Sequence, residues 1–176
     1  MYPDNSLIPT EAIRLAALGS LAKAPKPYAA LATEIRHFTG RIVGPSLDLI
    51  GPPIELLKVE GLVEPVAAGD DAPMRVTEAG MAELKRLLGA NLRGPMGEFN
   101  KLVIALKMRF LHVLDRDAQL AQAELLVEVC ERELTRLTDL RGHYAAEGGH
   151  LTAWLDHDIA QVEARLAWFR ALEARL

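Results

Sequence analysis

The chain has 176 residues, half of them apolar, and a formal net charge of −4, which suits one domain or a small domain with an appendage. No uninterrupted apolar run approaches the roughly 18 residues of a membrane span, and the N-terminus lacks the layout of a signal peptide, so we expect a soluble, cytoplasmic protein. Each half carries two more acidic than basic residues, so any DNA contact would need a local basic cluster.

Two helices are predicted at the start of the chain. In PTEAIRLAALGSLAKAP, Thr10 can cap a core helix that Pro25 ends. In KPYAALATEIRHFTG, a second helix runs from Pro27 to Gly40. Its apolar face is formed by Leu31, Ile35 and Phe38.

A third helix is predicted in GPPIELLKVEG, although two prolines precede it. Proline fits the first turn of a helix, where its missing N–H would have no partner, so Pro52 and Pro53 can open this helix. Ile54 and Leu57 form its apolar face, with Leu56 and Val59 placed more loosely on it, and Gly61 ends it.

The segment after Gly61 is typical of a β-hairpin followed by a helix. Two short extended pieces, Leu62 to Val66 and Met74 to Thr77, are joined by the turn sequence Gly-Asp-Asp-Ala-Pro. Thr77 is then the predicted cap of a fourth helix, EAGMAELKRLL. Three helices, a hairpin and a closing helix in this order are expected for a winged helix-turn-helix.

The particular residues resemble those of a known family. EAIRLAALGSLAKAPKPYAALATEI, GPPIELLKVEGLV and MRVTEAGMAELKRLL are similar, in order and spacing, to motifs of the PadR-like transcriptional regulators. The resemblance extends through Leu88 and implies an α+β, mostly helical fold, with a winged helix-turn-helix DNA-binding domain over residues 1–90.

Residues 91–176 are predicted to form a second, helical region. LGANLRGPMGE is expected to be a flexible joint, and three helical segments follow it. Two of them repeat apolar residues every three or four positions, as in helices that pack side by side. The repeats are Ala123, Val127, Cys130, Leu134 and Leu137, then Leu155, Ile159, Val162, Leu166 and Phe169. This region is similar to the AphA-like branch of the PadR family, and the resemblance implies a coiled-coil-like dimerisation domain and a homodimer.

A dimer would read double-stranded DNA with two recognition helices on two half-sites. In this interpretation the helix from Pro52 to Glu60 is the recognition helix, and the hairpin tip is the wing. The candidate DNA-binding residues are Tyr28, Arg36, His37, Arg41, Ser46, Lys58 and Arg75.

Some residues depart from the family pattern. Gly51 stands where the family has tyrosine, Glu55 and Glu60 flank Lys58, and Asp70 and Asp71 occupy the wing tip, where a carboxylate would repel phosphate. The alternative is therefore a winged-helix module that binds a protein or a ligand and has lost sequence-specific DNA binding.

Other functions have weaker support. His143, His150 and His157 recur every seven residues but lack the close spacing of metal ligands, and Cys130 fits a core position. No phosphate loop or nucleophile elbow is present, so we expect no enzyme activity, cofactor or bound metal. Tyr144 and Trp154 are expected to pack between the last two helices. The amphipathic segment Phe99 to Leu114 could meet a membrane surface, but burial in a bundle or dimer interface is the better interpretation.

Overall fold

The computed structural model describes residues 6–44, 51–92 and 96–176. The chain divides into two compact units, one containing the elements up to Leu114 and the other those from Asp115 to Leu176. The first unit therefore extends beyond residue 90. Of the predicted joint, Arg93, Gly94 and Pro95 lie outside the described residues.

Helix α1, Pro9–Lys23, lies at the centre of the first unit. Almost every residue from Ala12 to Leu21 is buried, because this helix packs against helices on several sides. The predicted cap at Thr10 is wrong, since the helix begins one residue earlier, at Pro9. The Glu11 carboxylate instead accepts a hydrogen bond from the Ile8 N–H at 3.1 Å, which satisfies an N–H at the helix start.

Helix α2, Tyr28–Val43, packs on α1 through Leu31 and Ile35, which are fully buried. The prediction that Gly40 ends this helix is wrong. Glycine costs only about 1 kcal/mol inside a helix, and the chain leaves the helix at Gly44, whose φ of 83° suits glycine.

Helix α3, Gly51–Val59, begins at the predicted prolines, and Ile54 and Leu57 are buried as expected. Gly61 follows it with a φ of 71°, which confirms its predicted role as the stop. The loose assignment of Leu56 and Val59 to the apolar face is wrong, because they are 49% and 82% exposed.

The predicted hairpin is confirmed. Strand β1, Val63–Pro65, pairs antiparallel with β2, Met74–Val76, and Glu64 faces Arg75 in the register. The chain between α1 and α2 adds a further pairing. The Lys26 N–H donates to the Met74 carbonyl at 3.0 Å, and the Met74 N–H donates to the Lys26 carbonyl at 2.8 Å.

Helix α4, Glu78–Leu88, closes this part of the fold against α1 and is capped as predicted. The Thr77 hydroxyl accepts from the Gly80 N–H at 3.0 Å. Gly80 has no room for a side chain, since a Cβ built there would lie 2.0 Å from the Leu62 carbonyl oxygen.

Helix α5, Glu98–Phe110, packs on α1 and α2 and ends in a 3-10 turn, Leu111–Val113. Leu102, Leu106 and Phe110 are fully buried there. The amphipathic face is thus covered within the first unit, and even Lys107, which a membrane surface would need at the exterior, has no exposed area.

The second unit is a pair of long helices, α6, Arg116–His143, and α7, Leu151–Glu173, packed along each other. The structure confirms that the predicted apolar repeats form the contact face between these two helices. Ala123, Cys130, Leu155 and Phe169 are buried, and the other repeat positions are buried or half-buried. Ion pairs Arg141–Asp156 and Arg170–Glu131 join the two helices, which shows that they run antiparallel.

Candidate functional site

The exposed surface of α2, α3 and the hairpin contains the predicted site residues that the structure describes. Arg36, His37 and Arg41 are exposed on the second half of α2, where His37 and Arg41 lie one turn apart on the same side. Lys58 is exposed in the last turn of α3. None of these four side chains forms an ion pair with another described residue.

The other three predicted residues have different surroundings. Tyr28 is the first residue of α2 and is 38% exposed. Arg75 is paired with Glu64 on the facing strand, with Nη2 2.7 Å from Oε1, so part of its positive charge is already compensated. Ser46 lies outside the described residues.

One of the acidic residues near α3, Glu60, has its negative charge compensated by an arginine of α1. Arg14 on α1 donates two hydrogen bonds to the Glu60 carboxylate, at 2.5 and 2.9 Å. The bond from Arg14 lowers the pKa of Glu60 and compensates its charge. Sequence reasoning missed this pair because 46 residues separate its members.

A cavity of about 260 Å³ opens between α3, the start of α2 and the hairpin. Ile54 and Met74 are buried against it, and Tyr28, Lys58 and Asp70 contribute polar groups to its lining. The structure thus brings together two predicted DNA-binding residues and one wing-tip carboxylate that lie far apart in the sequence.

Glu34 on α2 is the centre of a partly buried charge cluster. It accepts hydrogen bonds from Lys26, which bridges to β2, and from Arg109 on α5. Burial alone would raise the pKa of this carboxyl, but hydrogen bonds from Lys26, Ser20 and Arg109 outweigh it and lower the pKa to about 2. Arg109 also stacks over Phe38, with its Cζ atom 4.8 Å from the centre of the ring. The cluster fixes α2 to the hairpin side and to α5.

The three histidines of the series in the second unit do not come together at one site. His143 ends α6, His150 precedes α7 and His157 lies on α7 beside Gln161. In the part of the chain that the structure describes, no group of three histidine, cysteine or acidic side chains could hold a metal ion. Cys130 is buried in the helix contact, and burial raises the pKa of its thiol.

The prediction that Tyr144 and Trp154 pack between the last two helices is wrong. Tyr144, which follows the end of α6, is 37% exposed, and Trp154 on α7 is 61% exposed. Trp168 on the same helix is 49% exposed.

No helix among the described residues is both long and apolar enough to cross a membrane.

Comparison with known proteins adds one match. A family model described as "Putative AphA-like transcriptional regulator" matches residues 2–173, which is nearly the whole chain. No curated protein matches the sequence. The extent of the family match includes both compact units, and the chain therefore belongs to the AphA-like family of transcriptional regulators.

Proposed function

We propose that this protein is a dimeric, cytoplasmic, DNA-binding transcriptional regulator of the PadR type, with a winged helix-turn-helix in its first unit and no catalytic role. Helices α1 to α3, the hairpin and α4 follow one another in the order that this fold requires. The pairing of Lys26 with Met74 supports the assignment, because it anchors the hairpin beside α2.

The observation that carries the proposal is the two-sided character of α3. Ile54 and Leu57 fix one side of this helix in the core, whereas Leu56 and Val59 expose apolar side chains on the other. A helix in the major groove can use such side chains against thymine methyl groups, beside a cation that meets phosphate. Lys58 supplies the cation in the same turn.

We assign the phosphate contacts to cationic side chains that form no ion pair with another described residue. Arg36, Arg41 and Lys58 meet this condition, and His37 lies beside the first of them. Arg75 makes a smaller contribution in this proposal, because Glu64 already compensates it. Tyr28 and Ser46 remain proposed hydrogen-bonding residues of the same surface.

The wing tip contributes little to DNA affinity in this proposal. Asp70 and Asp71 are both exposed there, and a carboxylate near phosphate is repelled. The charge of Glu60 is a smaller obstacle, because Arg14 holds that carboxylate. The wing therefore stays away from the phosphates while α3 and α2 make the contacts.

The dimer contact is assigned to the outer side of α7. Six exposed residues on this side alternate by four and three positions, as the contact residues of a coiled coil do. They are Ala153, His157, Ala160, Ala164, Ala167 and Ala171. A helix that is apolar on two sides requires a second covering surface, and here α6 covers only one.

A second copy of α7 suits this surface. Small side chains allow two helices to approach closely, and no charged residue lies between the alanines on this side. In an antiparallel pair centred between Ala160 and Ala164, Trp154 of one protomer lies beside the partner's Trp168. Both tryptophans then lose the exposure they have in the single chain.

The test is a mobility-shift titration with DNA upstream of the protein's own gene and its neighbouring genes. We expect Arg36→Ala with Arg41→Ala to weaken binding at least about tenfold and to reduce the slope of log affinity against log salt by about 2 per protomer. Arg116→Ala with Arg132→Ala removes two exposed arginines from α6 and is the matched control, which should bind like the wild type.

A second candidate function is an interaction module that kept the fold and lost DNA binding. Glu55, Asp70 and Asp71 favour it, because each is exposed and without an ion-pair partner among the described residues. If no DNA fragment binds even at low salt, where phosphate contacts are strongest, this second function replaces the first.

A further inference from the structure

The cavity beside α3 has an apolar floor and a polar rim. Ile54 is 1% exposed and Met74 is 7% exposed, and Pro65 adds a third apolar side chain. The rim contains the carboxylates of Glu55 and Asp70, together with Lys58 and the Tyr28 phenol. An apolar surface with a few convergent polar groups is the usual composition of a small-molecule site.

The polar groups of the rim are not used by the described part of the protein. Tyr28, Glu55, Lys58 and Asp70 form no hydrogen bond or ion pair with its side chains, even though Glu55 and Lys58 are one turn apart on α3. Neighbouring carboxylates behave differently, since Glu64 pairs with Arg75 and Glu60 with Arg14. The rim therefore has free capacity for a ligand.

We propose that this cavity binds a small amphipathic amine. Its apolar part lies on Ile54, Pro65 and Met74, and its ammonium group faces the carboxylates of Glu55 and Asp70. Two carboxylates against one lysine give the lining a net negative charge, so a cation is favoured over an anion of the same shape. The volume of about 260 Å³ is slightly below the range of drug-sized pockets and admits a single ring or a short chain.

The amine also has a regulatory consequence, which rests on the proposed DNA-binding function. Glu55 and Asp70 lie on α3 and on the hairpin, where a carboxylate opposes the approach of phosphate. A bound ammonium group offsets this repulsion without occupying the exposed side of Leu56 and Val59. The amine therefore strengthens DNA binding and acts as a co-ligand.

The first test uses the full chain without DNA and 2-phenylethylamine as the probe. We expect saturable shifts of the Ile54 and Met74 methyl signals in NMR spectra, and no such shifts with 3-phenylpropionate, an anion of similar shape. Asp70→Asn should weaken amine binding about threefold, and Glu55→Gln with Asp70→Asn about tenfold. Asp71→Asn is the matched control, because Asp71 is exposed beside Asp70 but does not line the cavity.

Equal shifts with the anion, shifts that leave Ile54 and Met74 unaffected, or affinity unchanged in the double variant would each overturn the amine site. The second test repeats the mobility-shift titration with saturating amine and expects about a threefold gain in DNA affinity. A loss of affinity would overturn the regulatory role. Amine binding by a protein that binds no DNA would support the site while rejecting the proposed function, so the two failures are distinguishable.

Discussion

The Lys107 ammonium group donates to the Leu88 backbone carbonyl at 2.5 Å, at the last residue of α4. It also donates to the Ala90 carbonyl at 2.7 Å, and the side chain has no exposed area. A cation at a helix C-terminus is favourable, because the last carbonyls lack intrahelical partners. Burial nevertheless lowers the pKa of Lys107 to about 8.

Replacing Lys107 by methionine should lower the free energy of unfolding by about 1–3 kcal/mol at pH 7, because two buried carbonyls lose their donor. The difference should also depend on pH. Between about pH 8 and pH 10.5 the unfolded chain keeps a proton on Lys107 that the folded chain releases, so wild-type stability rises with pH relative to the variant. Urea unfolding of the wild type and of the Lys107→Met variant at pH 7, 8 and 10 measures the difference in their free energies of unfolding.

Lys101→Met is the control for Lys107, since Lys101 is half-exposed and pairs with Glu98 one turn away. Its unfolding free energy should stay within about 0.5 kcal/mol of the wild type. A Lys107→Met difference that stays constant from pH 7 to pH 10 would contradict the lowered pKa.

Glu34→Gln should destabilise the first unit by about 1–3 kcal/mol at pH 7, because Lys26 and Arg109 lose a charged acceptor in a partly buried site. The folded pKa of Glu34, about 2, lies below the ordinary value of 4.5. Its contribution is therefore complete above about pH 4.5 and is lost as the pH falls towards 2. The unfolding curves of the wild type and of the Glu34→Gln variant should converge over that range.

Glu98→Gln is the matched control for this acid range, because Glu98 forms an exposed pair with Lys101. Circular dichroism during urea unfolding at pH 7 and pH 3 provides the measurement. A difference between wild type and Glu34→Gln that is equally large at both pH values would argue against a carboxylate held charged by Lys26 and Arg109.

Gly80→Ala should cost about 1–3 kcal/mol, or more if the backbone cannot shift. The new Cβ would lie 2.0 Å from the Leu62 carbonyl oxygen, and that oxygen is held by the Thr77 N–H at 3.0 Å. Gly142→Ala, in the exposed last turn of α6, meets nothing within 4 Å and should stabilise by up to about 1 kcal/mol. Thermal unfolding of both variants compares them, and equal melting temperatures would refute the close contact at Gly80.

Local signals predicted the elements of the first unit well. Pro52, Gly61 and Thr77 act within one turn of their own positions, so their roles can be read from neighbouring residues. The errors at Thr10 and Gly40 concern helix ends, because α1 already begins at Pro9 and α2 continues past Gly40 to Val43.

The electrostatics of the site could not be predicted in this way. Arg14 meets Glu60 only after α1 and α3 have packed, and Arg109 meets Glu34 only after α2 and α5 have packed. The second apolar side of α7 was missed for another reason. Alanine contributes little hydrophobicity, so the alanine series of α7 gives a much weaker signal in the sequence than the Leu155 series does.

Ala164→Glu should convert the proposed dimer into a monomer. Ala164 lies near the middle of the exposed alanine series, so two copies of the variant would bury like charges at the centre of an antiparallel α7 pair. Light scattering and sedimentation at several protein concentrations measure the mass, and circular dichroism checks that the helices are retained. Ala121→Glu, at an exposed position on α6, is the matched control and should keep the wild-type mass. A wild-type monomer, or an Ala164→Glu dimer as stable as the wild type, would exclude α7 as the contact and leave Trp154 and Trp168 without a covering partner.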